Sequence, residues 1–129
     1  MYVLADVMSQ GVFAVERGLS LREAASRMAE RSIGAAIVLD GERLVGILTE
    51  RDVLRAVGSD RDRTATVGEC MTNHPEVVEP TDTTDHAAAL MIHGGFRHLP
   101  VVEGDRVVGI VSIRDLMRVT LDDTSPRGA

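Results

Sequence analysis

The chain has 129 residues, 44% of them apolar, with one Tyr, two Phe and no Trp. That length supports one compact body of ordinary core size rather than two large independent ones, and the core must be assembled from Ala, Val, Leu, Ile and Met, which leaves no aromatic platform for stacking single-stranded nucleic acid. Twenty acidic against 14 basic residues give a net charge of −6 without a basic stripe to follow a phosphate backbone, so no nucleic-acid partner is expected.

In chain order, a short apolar strand is predicted at Val12 to Val15. A helix follows, announced by Ser20-x-x-Glu23, which reads as a capping box, with Leu21, Ala24, Ala25, Met28 and Ala29 on one helical face. After Gly34 come the run Ala35 to Leu39, the turn Asp40-Gly41-Glu42 and the run Leu44 to Leu48, the pattern of a hairpin of two largely buried strands. A second helix is predicted from Glu50 to about Val57, and Gly58 to Thr66, with little apolar content, reads as a connector.

The chain then repeats itself. A shift of 63 residues lays Val7 to Val57 on Cys70 to Thr120 without a gap. Met8 meets Met71, Val15-Glu16 meets Val78-Glu79, and Ala24, Ala25 and Met28 meet Ala87, Ala88 and Met91. Gly41-x-Arg43-x-Val45-Gly46-Ile47 recurs as Gly104-x-Arg106-x-Val108-Gly109-Ile110, followed by Arg51-Asp52 and Arg114-Asp115. The expected fold class is α+β (α/β-type), with strand, helix, strand, strand, helix in each copy. The expected division is 1–60 for the first domain, 61–69 for a linker, 70–121 for the second domain and 122–129 for a frayed tail. A copy of about 55 residues buries little alone, so the two are expected to pack with pseudo-two-fold symmetry, leaving two equivalent crevices where small ligands bind.

The sharpest motif is Gly46-Ile47-Leu48-Thr49-Glu50-Arg51-Asp52, echoed by Gly109-Ile110-Val111-Ser112-Ile113-Arg114-Asp115. A hydroxyl and a carboxylate recur three residues apart where a strand gives way to a helix. Helix capping accounts for the pair by itself. Equally, a helix N-terminus offers amide donors and a hydroxyl to a ligand, and a carboxylate accepts both hydroxyls of a ribose. The two roles are compatible.

The duplicated pattern, with its apolar strand pair, its Gly-h-x-[Ser/Thr]-x-x-Asp signature in both copies and the run His98-Leu99-Pro100-Val101-Val102, resembles the CBS domain in the paired arrangement called a Bateman module. The resemblance covers about Val7 to Leu121. It implies clefts that bind adenosine-containing ligands, AMP, ADP or ATP first, S-adenosylmethionine or NAD in some relatives, with no cofactor required. Carried over, it assigns Thr49 and Asp52 to one cleft and Ser112 and Asp115 to the other, and places Arg97 and His98 where relatives hold phosphate. The first copy has Gly34 and Ala35 at those positions and the chain has no Lys, so the two clefts should differ. Arg51 and Arg114 either steer phosphate or pair with helix carboxylates. Phe13, Ile33 and Pro75 are candidates for walls around an adenine ring, or simply core.

All 14 basic residues are Arg, which suits bidentate contact with carboxylate or phosphate and equally follows from genome composition. Cys70 is the single cysteine and reads as a packing residue. The histidines at 74, 86, 93 and 98 lack the spacing of a zinc site, and no metal is expected. No nucleophile stands with a base partner and no Gly-rich phosphate loop is present, so no enzyme is expected. Neither an apolar run of membrane length nor a secretory signal is visible, and a cytoplasmic location is the expectation. Two functions remain open. One is a sensor of an adenosine ligand whose output lies on a separate effector protein. The other is a homodimeric interaction module, with Val53, Leu54, Leu116 and Met117 as candidate dimer surface.

Overall fold

The computed structural model describes residues 2–124. The residues fall into two compact units, one contiguous, Val12–Pro75, and one built from residues up to Gly11 together with those from Glu76 on.

The contiguous unit contains β1 (Ala14–Glu16), α1 (Leu21–Glu30), β2 (Ala35–Asp40), β3 (Arg43–Thr49), α2 (Glu50–Gly58), α3 (Val67–Cys70) and β4 (Thr72–Asn73). Its sheet runs β1-β2-β3-β4, with β1 parallel to β2 and the other pairs antiparallel. Helix α1 starts because Ser20 Oγ accepts the Glu23 amide at 3.1 Å. The cap is one-sided, not the reciprocal box expected from Ser20-x-x-Glu23, because the Glu23 carboxylate instead accepts from Arg27 Nε at 3.2 Å. Leu21, Ala24 and Met28 recur on one helical stripe and are buried against Ala36, Val38 and Leu48 of the sheet.

Between β2 and β3 a two-residue loop joins Asp40 to its partner Arg43, with Gly41 at φ +65° in the first loop position. Gly104 does the same at φ +60° between Glu103 and its partner Arg106 in the other unit. Positive φ at the first position is what a type II′ hairpin turn asks of glycine.

The segment expected as a linker at 61–69 is packed structure. Asp62 is held by Arg22 Nη2 at 3.0 Å, a hydrogen bond that keeps its carboxyl below the ordinary aspartate range. Ala65 and Val67 are buried in the same core, and Thr66 caps α3.

The second unit holds a 3-10 turn (Leu4–Asp6), α4 (Thr84–Gly94), β5 (His98–Glu103), β6 (Arg106–Ser112) and α5 (Ile113–Thr124). Its core gathers Leu4, Val78, Ala87, Met91, Leu99, Val101, Val111 and Leu116. Helix α5 continues to Thr124, into the expected tail; residues 125–129 lie outside the described residues.

The first strand predicted for each copy is real in one and reduced in the other. In the contiguous unit the Ile37 amide bonds to Phe13 O at 2.9 Å. The matching position holds Pro100, which has no amide hydrogen, and only the isolated parallel bridge Val78 to Val101 remains.

The largest departure from sequence order concerns the leading segment of each copy. Met8 and Ser9 sit on the β5–β6 hairpin, Ser9 bridging Ile110, while Met71 and Thr72 sit on the β2–β3 hairpin, Thr72 pairing with Ile47. Each copy therefore lends its first residues to the other copy's unit. The internal matches Met8/Met71 and Gly46/Gly109 are one device, because the methionine lies where a glycine side chain would be: a Cβ on Gly109 would stand 2.7 Å from Met8 Sδ, and one on Gly46 2.5 Å from Met71 Sδ.

Among the described residues three non-glycines, Ser32, Asp60 and His74, hold a positive φ. Ser32 ends α1 at φ +53°, where the other copy has Gly95 at φ +73°. A left-handed L-residue costs about 1–2 kcal/mol and the added chain entropy of glycine takes back about 0.5–1. Ser32→Gly is therefore expected to stabilise by about 0.5–1 kcal/mol, read as a higher urea midpoint at unchanged m-value.

Candidate functional site

Thr49 closes β3 and is the N-cap of α2. Its amide donates to Asp52 Oδ2 at 2.9 Å and its hydroxyl to the same oxygen at 3.1 Å, while the Asp52 amide donates back to Thr49 Oγ1 at 3.4 Å. This is a full capping box, and it fixes the carboxylate at the positive end of the helix. Asp52 is only 6% exposed, the one buried charged side chain among the described residues. Burial of a carboxylate requires partners, and the other oxygen, Oδ1, accepts the Thr72 hydroxyl at 3.3 Å.

The second copy builds the same box from Ser112 and Asp115, with the Ser112 amide and hydroxyl at 2.8 and 3.0 Å from Asp115 Oδ2 and the return bond at 3.2 Å. What differs is the partner of Oδ1. In place of a threonine hydroxyl, Arg118 Nη1 approaches at 3.6 Å.

The expected site residues gather around these caps to different degrees. Gly34 O accepts the Glu50 amide at 3.0 Å and Ala35 pairs with Thr49, which sets Ile33 close to the start of α2. Ile33 is exposed. Phe13 lies two rungs along, joined to Ile37 through its carbonyl. Its half-buried ring packs on the core and carries the Arg31 guanidinium 4.4 Å from its centroid, a cation–π contact absent from the sequence reading. Arg51 stands on the first turn of α2 and Arg114 on the first turn of α5, both exposed. In the second unit Arg97 O accepts the Ile113 amide at 2.8 Å and His98 pairs with Ser112. The basic pair and the Ser112–Asp115 box thus share one strand end. Pro75 is half-buried at the end of the contiguous unit, and no strand pairing brings it beside the Thr49 cap.

Of the residues read as a dimer surface, Val53 packs on one core and Leu116 is buried in the other. Leu54 and Met117 are 70% and 56% exposed, joined by Val57 and Leu121. Cys70 is partly buried, and desolvation pushes its thiol above the usual range. Among the described residues, no cluster of His, Cys, Asp and Glu could hold a metal and no helix is long and apolar enough to cross a membrane.

Sequence reading missed Thr72, whose signal was faint: it follows the repeated methionine and matches Ser9 at the repeat spacing.

Comparison with known proteins places this geometry. The family model described as the CBS domain matches twice, over residues 4–59 and 67–122. A putative signal-transduction protein with CBS domains from Burkholderia ambifaria is 33% identical, with 99% of this chain and 100% of that one covered at a TM-score of 0.91. The CBS domain pair of protein MJ0100, solved with 5′-methylthioadenosine and S-adenosyl-L-methionine, is 27% identical over 96% of this chain and 99% of its own, at a TM-score of 0.90. A CBS domain protein from Pyrobaculum aerophilum complexed with AMP is 28% identical over 95% and 97%, at 0.85. With two family matches spanning most of its length, and the hydroxyl–carboxylate cap built in both, this chain belongs to the CBS domain family as a tandem pair.

Proposed function

We propose that the chain is a regulatory module that senses an adenosine-containing ligand of the AMP, ADP or ATP class through its two cap motifs and signals to a separate effector protein. The observation that carries this reading is the duplicated box: two helix N-termini, each with amides, a hydroxyl and an oriented carboxylate, in a family whose solved members include pairs holding AMP or S-adenosylmethionine. A ribose needs a carboxylate acceptor held in place, and the free helix end favours the phosphate that follows. The Ser112–Asp115 end, flanked by Arg97 and His98, is the better phosphate site; the Thr49–Asp52 end has only Gly34 and Ala35 there. Signalling follows if the ligand prefers one of two conformations that the effector tells apart.

A ligand that binds only the folded chain must raise Tm, by an amount equivalent to about 2.7 kcal/mol at a hundredfold excess over Kd. A thermal-shift screen with AMP, ADP, ATP, NAD and S-adenosylmethionine is expected to show a rise for an adenine nucleotide, lost in Asp115→Ala and in Arg97→Ala. An unchanged affinity in Arg97→Ala would overturn the assignment of the phosphate site.

A second reading, a homodimeric interaction module without physiological nucleotide binding, is favoured by one observation: Leu54 and Val57 on α2 and Met117 and Leu121 on α5 leave apolar side chains exposed. No Tm rise with any of the five ligands, together with a nucleotide-indifferent dimer in sedimentation, would establish it.

A further inference from the structure

Within the contiguous unit, a cleft of about 210 Å³ opens between α2 and the α3–β4 segment. Asp52 and Arg55 line it from α2, Ser59 from the helix C-cap, Arg61 from the turn beyond, and Glu69, Cys70 and Thr72 from the facing side. Most of the polar groups there are already engaged. Asp52 accepts from its cap and from Thr72. Glu69 Oε1 accepts the Thr66 amide and hydroxyl at 2.9 and 3.0 Å, bonds that hold its carboxyl below the ordinary glutamate range. The Ser59 hydroxyl donates to Arg55 O at 2.7 Å. What remains with capacity to spare is the two guanidinium groups. Among the described residues neither Arg55 nor Arg61 stands within ion-pair distance of a carboxylate.

The other copy shows why Arg55 is released. Its counterpart Arg118 reaches Asp115 Oδ1, whereas on Asp52 that oxygen already holds the Thr72 hydroxyl. The positions matching Arg61 and Cys70 are Thr124 and Val7, so the chemistry of this cleft is not duplicated.

We infer that Arg55 and Arg61 form a site for a small oxyanion, a phosphate or carboxylate group, which borders the Thr49–Asp52 motif at Asp52 but is built from arginines that motif does not use. A guanidinium presents paired donors in a plane that matches two oxygens of such a group. The two carboxylates bordering the cleft offset the two arginines, which disfavours a polyanion and suits one compact charge. Cys70 lines the same cleft and is the only thiol in the chain, so its accessibility reports occupancy locally.

The test uses the full chain and inorganic phosphate, with acetate as a carboxylate arm and chloride at matched ionic strength as the reference. Phosphate or acetate is expected to raise Tm above the chloride value and to slow alkylation of Cys70 by iodoacetamide several-fold. The slowed alkylation, which is local to this cleft, should vanish in Arg61→Ala, weaken in Arg55→Lys and survive in Arg97→Ala. Whichever anion acts identifies the source of the charge. Equal Tm and equal alkylation rates in all three salts would overturn the site. So would a phosphate effect lost in Arg97→Ala but retained in Arg61→Ala, an outcome that would instead support the nucleotide-phosphate assignment.

Discussion

Leu4→Ala is expected to destabilise the unit formed with residues from Glu76 on by about 3–4 kcal/mol, near the upper range for a large-to-small change in a closed core. Leu4 is fully buried among Val78, Leu99, Val101 and Val111, and its backbone amide bonds to Asp82 O at 2.8 Å. Nothing in local sequence would assign such a cost to the fourth residue. Urea unfolding of the variant, with Leu54→Ala as an exposed control expected to stay within about 0.5 kcal/mol, measures it. A cost below about 1 kcal/mol would mean that the leading segment does not complete this core.

Gly46→Ala is the second large effect, about 2–3 kcal/mol, from overpacking. The new Cβ would lie 2.5 Å from Met71 Sδ and 2.9 Å from Thr72 O. The thioether can swing aside, but the carbonyl belongs to the backbone of β4 and cannot move without loosening its pairing with β3. Adding Met71→Ala should therefore recover only part of the loss. Because β4 also supplies the hydroxyl to Asp52 Oδ1, this variant should weaken ligand response at the Thr49–Asp52 motif as well as stability. Full recovery in the double variant would show that only the sulfur was in the way.

These two cases mark where sequence reading stops. Periodicity and the 63-residue offset located the α1 face, both hairpins and α2 to within a residue or two, because each depends on neighbours close in sequence. The offset also found Met8/Met71 and Gly46/Gly109, but a repeat only says which residues correspond. It does not say whose core a segment enters, and here the methionine of one copy fills the notch over the glycine of the other. The first strand of the second copy was expected because the repeat carries it over from Val12 to Val15, yet Pro100 withholds the amide a longer ladder needs. The Thr49–Asp52 and Ser112–Asp115 pairs were legible because a cap is local. Thr72, 20 residues from Asp52, and Arg31 over Phe13 were not, since partners that meet through the fold leave no spacing rule behind.

Exchange of leading segments also sets an order for synthesis. Residues 2–9 leave the ribosome before any of their partners on the β5–β6 hairpin, which follow about a hundred residues later, a wait of roughly 5–20 s at 5–20 residues per second. The contiguous unit is complete once Pro75 has emerged, so it can close in the meantime. Leu4, Val7 and Met8 meet Val78, Ala87 and Met91 first, and their core is complete only when Leu99, Val101, Val111 and Leu116 have followed.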